Sequence, residues 1–172
     1  VTDVDSLDFS SGKLTVDLFA NRTSPDRLGI KHTGNAAGQI GVSGTTVSFG
    51  GVRIGFFTGG GGFLEINLNA EANKAAVDKL LQALTFHNVS TTPSVRARRV
   101  SLTLTDGDGG TSLAVTKQIN IIPFINAAPV ITGFDTAISY TEGALPVLLD
   151  TNAAVTDVDS LDFSSGKLTV DL

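Results

Sequence analysis

With 172 residues and 41% hydrophobic content, the chain has enough apolar side chains for one sizeable core. Its formal net charge of −5 argues against nucleic acid, whose binders carry basic patches. Cys, Met and Trp are absent, which excludes disulfide staples and thiolate metal sites, and no apolar run approaches the roughly 18 residues of a membrane span.

The chain opens on VTDVDSLDFSSGKLTVDL, Val1–Leu18, and closes on the same 18 residues, Val155–Leu172, without a substitution. The offset from position 1 to position 155 is 154 residues, too long for a solenoid repeat and suited to one globular domain per repeat. The sequence therefore reads as a stretch of a tandem array that starts inside one repeat and stops inside the next. Between the copies, turn signals recur at the spacing of an all-β, immunoglobulin-like antiparallel sandwich.

Lys13–Ala20 alternates, with Leu14, Val16 and Leu18 on one face, and predicts a strand. A Ser-Pro-Asp turn leads to a short strand at Arg27–Lys31. Thr45–Phe49 and Val52–Phe57 form a predicted hairpin through Gly50-Gly51, and Gly59–Gly62 is expected to be a flexible tip before a strand at Phe63–Leu68. In Asn73–Leu84 the pattern changes to helical: Val77, Leu80, Leu81 and Leu84 fall at i, i+3, i+4 and i+7, behind an Asn73 N-cap. This accessory helix, over about residues 73–84, is expected to plug one open side of the sandwich. Strands follow at Thr85–Asn88, Arg96–Thr105 and Ser112–Ile122. Pro123–Pro129 reads as a linker. Ile138–Tyr140 and Leu145–Leu149 open the next repeat, whose first recognisable strand is Lys167–Leu172. The expected domains are 1–125, a repeat lacking its first strand, and 126–172, the linker with the beginning of the next repeat.

Three acidic clusters carry the candidate chemistry: Asp3-Val-Asp5, its copy Asp157-Val-Asp159, and Asp106-Gly-Asp108-Gly-Gly110. Alternating Asp residues followed by Gly or Ser suit a hard cation, because side chains at i and i+2 converge when a loop curls and Ca2+ takes about six to eight oxygens. Asp-x-Asp-Gly also opens an EF-hand loop, but the twelfth-position Glu is missing after Asp106 and strands replace the flanking helices. Turn formation alone is the competing explanation for each cluster. The end-to-end arrangement of an immunoglobulin-like sandwich would bring Asp3, Asp5, Asp106 and Asp108 to one pole, with Asp157 and Asp159 in the next repeat.

Several segments resemble cadherins. Thr156–Ser160 followed by Gly166–Val170 looks like their Asp-x-Asp-Ser loop leading into a Gly-Lys-Leu-Thr strand. Asp106–Ser112 is similar to the loop before their final strand, and Asn126-Ala-Ala-Pro129 to their linker. Asp26–Ile30 and Gly38–Gly44 extend the resemblance to cadherin-like tandem repeats of giant bacterial surface proteins and RTX-type adhesins. The resemblance implies a cadherin-like sandwich, calcium binding, and a ligand role for Glu142 in Thr141-Glu142. It also implies cell adhesion or biofilm formation at an extracellular, bacterial cell-surface location. Two departures stand out: the linker carries Ile125 and Ala127 rather than acidic residues, and the period exceeds a minimal cadherin domain.

Other patterns point less sharply. His32 and His87 lack catalytic or ligand spacing and read as surface or turn residues. Arg96, Arg98 and Arg99 read as a solvated face, with an anionic glycan contact as the alternative. Asn21-Arg-Thr23 and Asn88-Val-Ser90 fit the glycosylation sequon, a pattern common by chance. No catalytic dyad emerges, so no enzyme is expected. The expected function is a calcium-stabilised structural extender repeat of a large secreted adhesin or filament. Its expected partners are identical repeats, met head to tail with strand complementation through 126–172. A glycan-binding adhesion module is the alternative; nucleic acid and membrane insertion are not expected.

Overall fold

In a computed structural model, residues 8–160 and 162–171 are described, and they divide into two compact units, Val1–Pro123 and Phe124–Leu172. The larger is an all-β antiparallel sandwich with one helix. Its strands are β1 (Lys13–Ala20), β2 (Asp26–Ile30), β3 (Ile40–Ser43), β4 (Thr46–Phe49), β5 (Val52–Gly59), β6 (Phe63–Leu68), β7 (Leu84–Asn88), β8 (Arg98–Thr105) and β9 (Val115–Ile119), with α1 (Lys74–Ala83) between β6 and β7. One layer is a seven-stranded sheet in the order β3-β4-β5-β6-β1-β8-β9, and the opposing layer holds the β2–β7 pair and the helix.

The alternation of β1 explains its place. Leu14, Val16 and Leu18 are 1–2% exposed, and both strand edges are paired, Leu14 with Ile66 of β6 on one side and with Leu104 of β8 on the other. A strand saturated on both edges and buried on one face is the natural centre of a sheet. The β4–β5 hairpin turns through Gly50 and Gly51 at φ +58° and +83°, the two positive values that a primed two-residue turn requires.

The helix forms as its pattern predicts. Asn73 Oδ1 accepts from the Ala76 N–H at 3.0 Å, capping the first turn, while Ala76, Val77, Leu80 and Ala83 are buried against the sheet. Leu81 and Leu84 pack at the border of the same core. The glycine loop behaves differently from its expectation. Gly61 and Gly62 accept from the Leu28 and Leu18 N–H groups at 3.0 and 2.8 Å, so the loop is pinned to both layers.

In the smaller unit, β10 (Val130–Thr132) pairs with β11 (Ala154–Thr156). The strand expected at Lys167–Leu172 is not formed over its described residues, and Ile138–Tyr140 and Leu145–Leu149 have no regular structure either. Leu168 is 77% and Val170 69% exposed, against 1% and 2% for their sequence-identical counterparts Leu14 and Val16. The physical reason is pairing: Lys13–Ala20 has β6 and β8 beside it, whereas no strand lies beside Lys167–Asp171 among the described residues. An isolated alternating segment cannot satisfy its backbone or bury its face.

The turn that precedes each copy forms regardless. Gly12 N–H donates to the Phe9 carbonyl at 2.9 Å and Gly166 N–H to that of Phe163 at 2.8 Å, with Ser11 at φ +63° and Ser165 at φ +66°. Asp8 and Asp162 each accept from the N–H two residues on, both at 2.8 Å. These contacts lie within a few residues of sequence, so they need no tertiary partner.

Candidate functional site

Asp106 follows the last residue of β8, and its carboxylate organises the loop beyond. Oδ1 accepts the N–H groups of Asp108, Gly109 and Gly110 at 2.8, 3.1 and 3.0 Å. One oxygen thus closes the whole Asp-Gly-Asp-Gly-Gly turn, the structural use of an aspartate in a loop. The loop lies against the N-terminal turn: Gly107 sits at φ +95°, and a β-carbon there would come within 1.8 Å of the Ser10 carbonyl oxygen. Asp3 and Asp5 lie outside the described residues, so the expected four-carboxylate pole is represented by the Asp8–Gly12 turn and the Asp106–Gly110 loop alone. Gly107→Ala is expected to destabilise the larger unit by about 1–3 kcal/mol, because it combines backbone strain with a clash against main chain. Urea denaturation would measure this, and an unchanged midpoint would contradict the placement.

The second acidic cluster is delivered by β11. Directly after Thr156, Asp157 Oδ1 accepts from the N–H groups of Asp159 and Ser160, both at 3.2 Å. The Asp159 N–H, with that of Ser160 adding to it, holds the Asp157 carboxyl below the ordinary aspartate value, so Asp157 is an anion at neutral pH. Asp159 Oδ2 accepts from the Ala127 N–H at 2.7 Å, fastening the loop to the Asn126–Pro129 segment. Its other oxygen, Oδ1, is buried without a hydrogen-bond partner among the described residues. A buried carboxylate oxygen without a donor is costly, and an oxygen-seeking cation is one chemistry that relieves it.

Glu142 lies in an exposed turn of the same unit. Among the described residues, no three of His, Cys, Asp and Glu come together as a metal-holding group, so Glu142 is not brought into a trio with Asp157 and Asp159. Those two could hold only part of a Ca2+ coordination shell, and the remaining oxygens would have to be carbonyls or water.

A third charged group escaped the sequence reading. Arg98, expected on a solvated face, is fully buried, as is Asp26, and the two pair through Arg98 Nε and Asp26 Oδ2 at 3.0 Å. Arg98 Nη2 also donates to Thr23 Oγ1 at 3.2 Å, and Nη1 to the carbonyls of Ser94 and Arg96. Asp26 accepts the Thr23 N–H and the Asn88 side-chain amide, both at 2.6 Å. Burial pushes the Asp26 carboxyl up, but Arg98, Thr23 and Asn88 outweigh it and hold the group below its ordinary value. Asp26 opens β2, Asn88 closes β7 and Arg98 opens β8, so the network ties the two layers together. A signal for it existed: Arg98, Val100, Leu102 and Leu104 alternate, which puts Arg98 on the core face and Arg99 outside. Arg99 lies over the exposed ring of Phe19, 6.0 Å from its centroid.

His32 and His87 are both exposed, and His32 Nδ1 accepts from the Val42 N–H at 3.0 Å, a structural contact beside β3. No family model, no curated protein and no solved structure matches the chain.

Proposed function

We propose that this chain is part of a structural extender, a β-sandwich repeated head to tail in a large secreted adhesin or filament and stiffened by calcium. The observation that carries it is the pair of identical 18-residue segments 154 positions apart: Lys13–Leu18 of the first runs through the centre of a sheet, while its counterpart Lys167–Asp171 has no partner strand among the described residues. In a tandem array the second copy would acquire the equivalents of β6 and β8 from the sequence that follows it. Identical repeats serve spacing, since a spacer gains length from each copy and needs no specialised residue in any one.

Calcium enters through Asp157 and Asp159 beside the Ala127 linker residue, and the buried Asp159 Oδ1, without a partner among the described residues, supports it. An ion held there would neutralise two neighbouring carboxylates and fasten the linker to the start of the next repeat. Binding confined to the folded form adds stability of about 2.7 kcal/mol when free calcium is one hundred times its dissociation constant. Low calcium in the cell and high calcium outside would then couple stiffening to export. The test is thermal melting of the full chain in calcium and in chelator. A calcium-dependent rise in midpoint, lost in Asp159→Asn, is expected; superimposable curves would remove the cation from the proposal.

A further inference from the structure

The inner face of the seven-stranded sheet is unevenly covered. Leu14, Val16 and Leu18 of β1 stand directly beside Leu104, Leu102 and Val100 of β8, and across Leu102 stands Val115 of β9. Directly paired residues share a face, so Leu102, Leu104, Val115 and Ile119 continue the core surface toward the sheet edge. Burial fades along this line: β1 is sealed, Leu102, Leu104 and Ile119 are half-buried, and Val115 is 62% exposed. The opposing β2–β7 layer and helix leave this end bare, with Lys117 its one charged side chain on β9.

The smaller unit has the complementary surplus. Ile138 and Tyr140, then Leu145, Val147 and Leu149, are spaced two apart, so an extended chain would present each set on one face. All five are exposed, and no strand forms around them. The two sets differ in parity, so in an extended chain they face opposite sides, and the turn at Glu142-Gly143 separates them.

We propose that the Leu145–Leu149 segment of a second copy of this chain lies on the inner face of β8 and β9, completing the sandwich as a donated strand. The duplication selects this occupant, a choice that rests on the tandem reading above. With a period of 154, the segment that precedes the Val1–Leu18 sequence in an array is the one that precedes Val155–Leu172, namely 124–154. The apolar run that the larger unit lacks on its β8–β9 face and the run that the smaller unit leaves uncovered are then one element, seen on both sides of a junction. Between separate chains the same fit gives head-to-tail association.

Because the chain contains no cysteine, introduced thiols are the only thiols present. Val115→Cys and Val147→Cys, both at exposed positions, are made in separate full-length chains, mixed, and treated with a short bis-maleimide in calcium and in chelator. A heterodimer joining one chain of each kind, at least tenfold more abundant than from a Val52→Cys and Val147→Cys mixture, is expected. A yield equal to that of the control mixture, or a chain bearing both substitutions that links only within itself, would overturn the proposal. Cross-linking that is the same in chelator upholds the interface while counting against calcium. A calcium-dependent melt without cross-linking keeps the calcium-stiffened spacer and overturns the interface.

Discussion

Replacing Arg98 with methionine, or Asp26 with asparagine, is expected to cost about 3–5 kcal/mol, because each leaves the other partner charged or poorly satisfied in a buried site. Against a typical total of about 5–15 kcal/mol, that is a large part of the stability, and denaturant titration would show it directly. The double replacement Asp26→Leu with Arg98→Met should recover much of the loss, since neither charge then remains to be desolvated. The pH dependence separates this from simple packing damage. In the native protein the Asp26 carboxyl lies below its ordinary value, so its stabilisation is complete above the ordinary aspartate range and fades as pH falls through the lowered value. With Arg98 gone, burial opposes ionisation more strongly, and the penalty should be smaller at pH 4 than at pH 7. Single replacements costing less than about 1 kcal/mol, with no pH dependence, would contradict the role given to this pair.

The second large effect is a contrast between identical sequences. Leu14→Ala should cost about 2–5 kcal/mol, the range for emptying a buried leucine site. Leu168→Ala, the same change in the same eighteen-residue sequence, should stay within about 0.5 kcal/mol, since Leu168 is 77% exposed. Equal costs would mean that both segments are packed, against the pairing described for the sheet.

This contrast also shows what was legible in the sequence. The alternation of Lys13–Ala20, the helical stripe behind Asn73 and the Gly50-Gly51 turn each contain their own structural instruction, and each forms within a residue or two of its expected limits. The Phe-Ser-Ser-Gly turn forms in both copies because its bonds are local. Lys167–Leu172 carries the same alternation as β1, but alternation specifies only which face is apolar. Whether a strand forms depends on neighbours that, for β1, come from about 50 and 90 positions downstream.

Charge was harder to read than shape. Grouping Arg96, Arg98 and Arg99 by proximity suggested a solvated patch, yet the two-residue period of a strand sends alternate members to opposite faces. Arg98 goes to the core because Asp26, 72 positions away, receives it. The acidic clusters divided similarly: Asp106 spends one oxygen on three N–H groups of its own loop, while Asp159 keeps a buried oxygen without a partner among the described residues. Spacing alone gives the two clusters the same appearance, and only the hydrogen bonds tell them apart.

The tandem arrangement meets its most direct test in a longer chain, made by joining a further copy of residues 19–123 after Leu172 and measuring its unfolding with and without Leu168→Ala. The added sequence supplies the second copy's β6 and β8 equivalents, so Leu168 should become a core residue of a second sandwich. The substitution should then destabilise that sandwich by about 2–5 kcal/mol, as Leu14→Ala does in the first. A Leu168→Ala change that remains neutral in the longer chain would contradict the account.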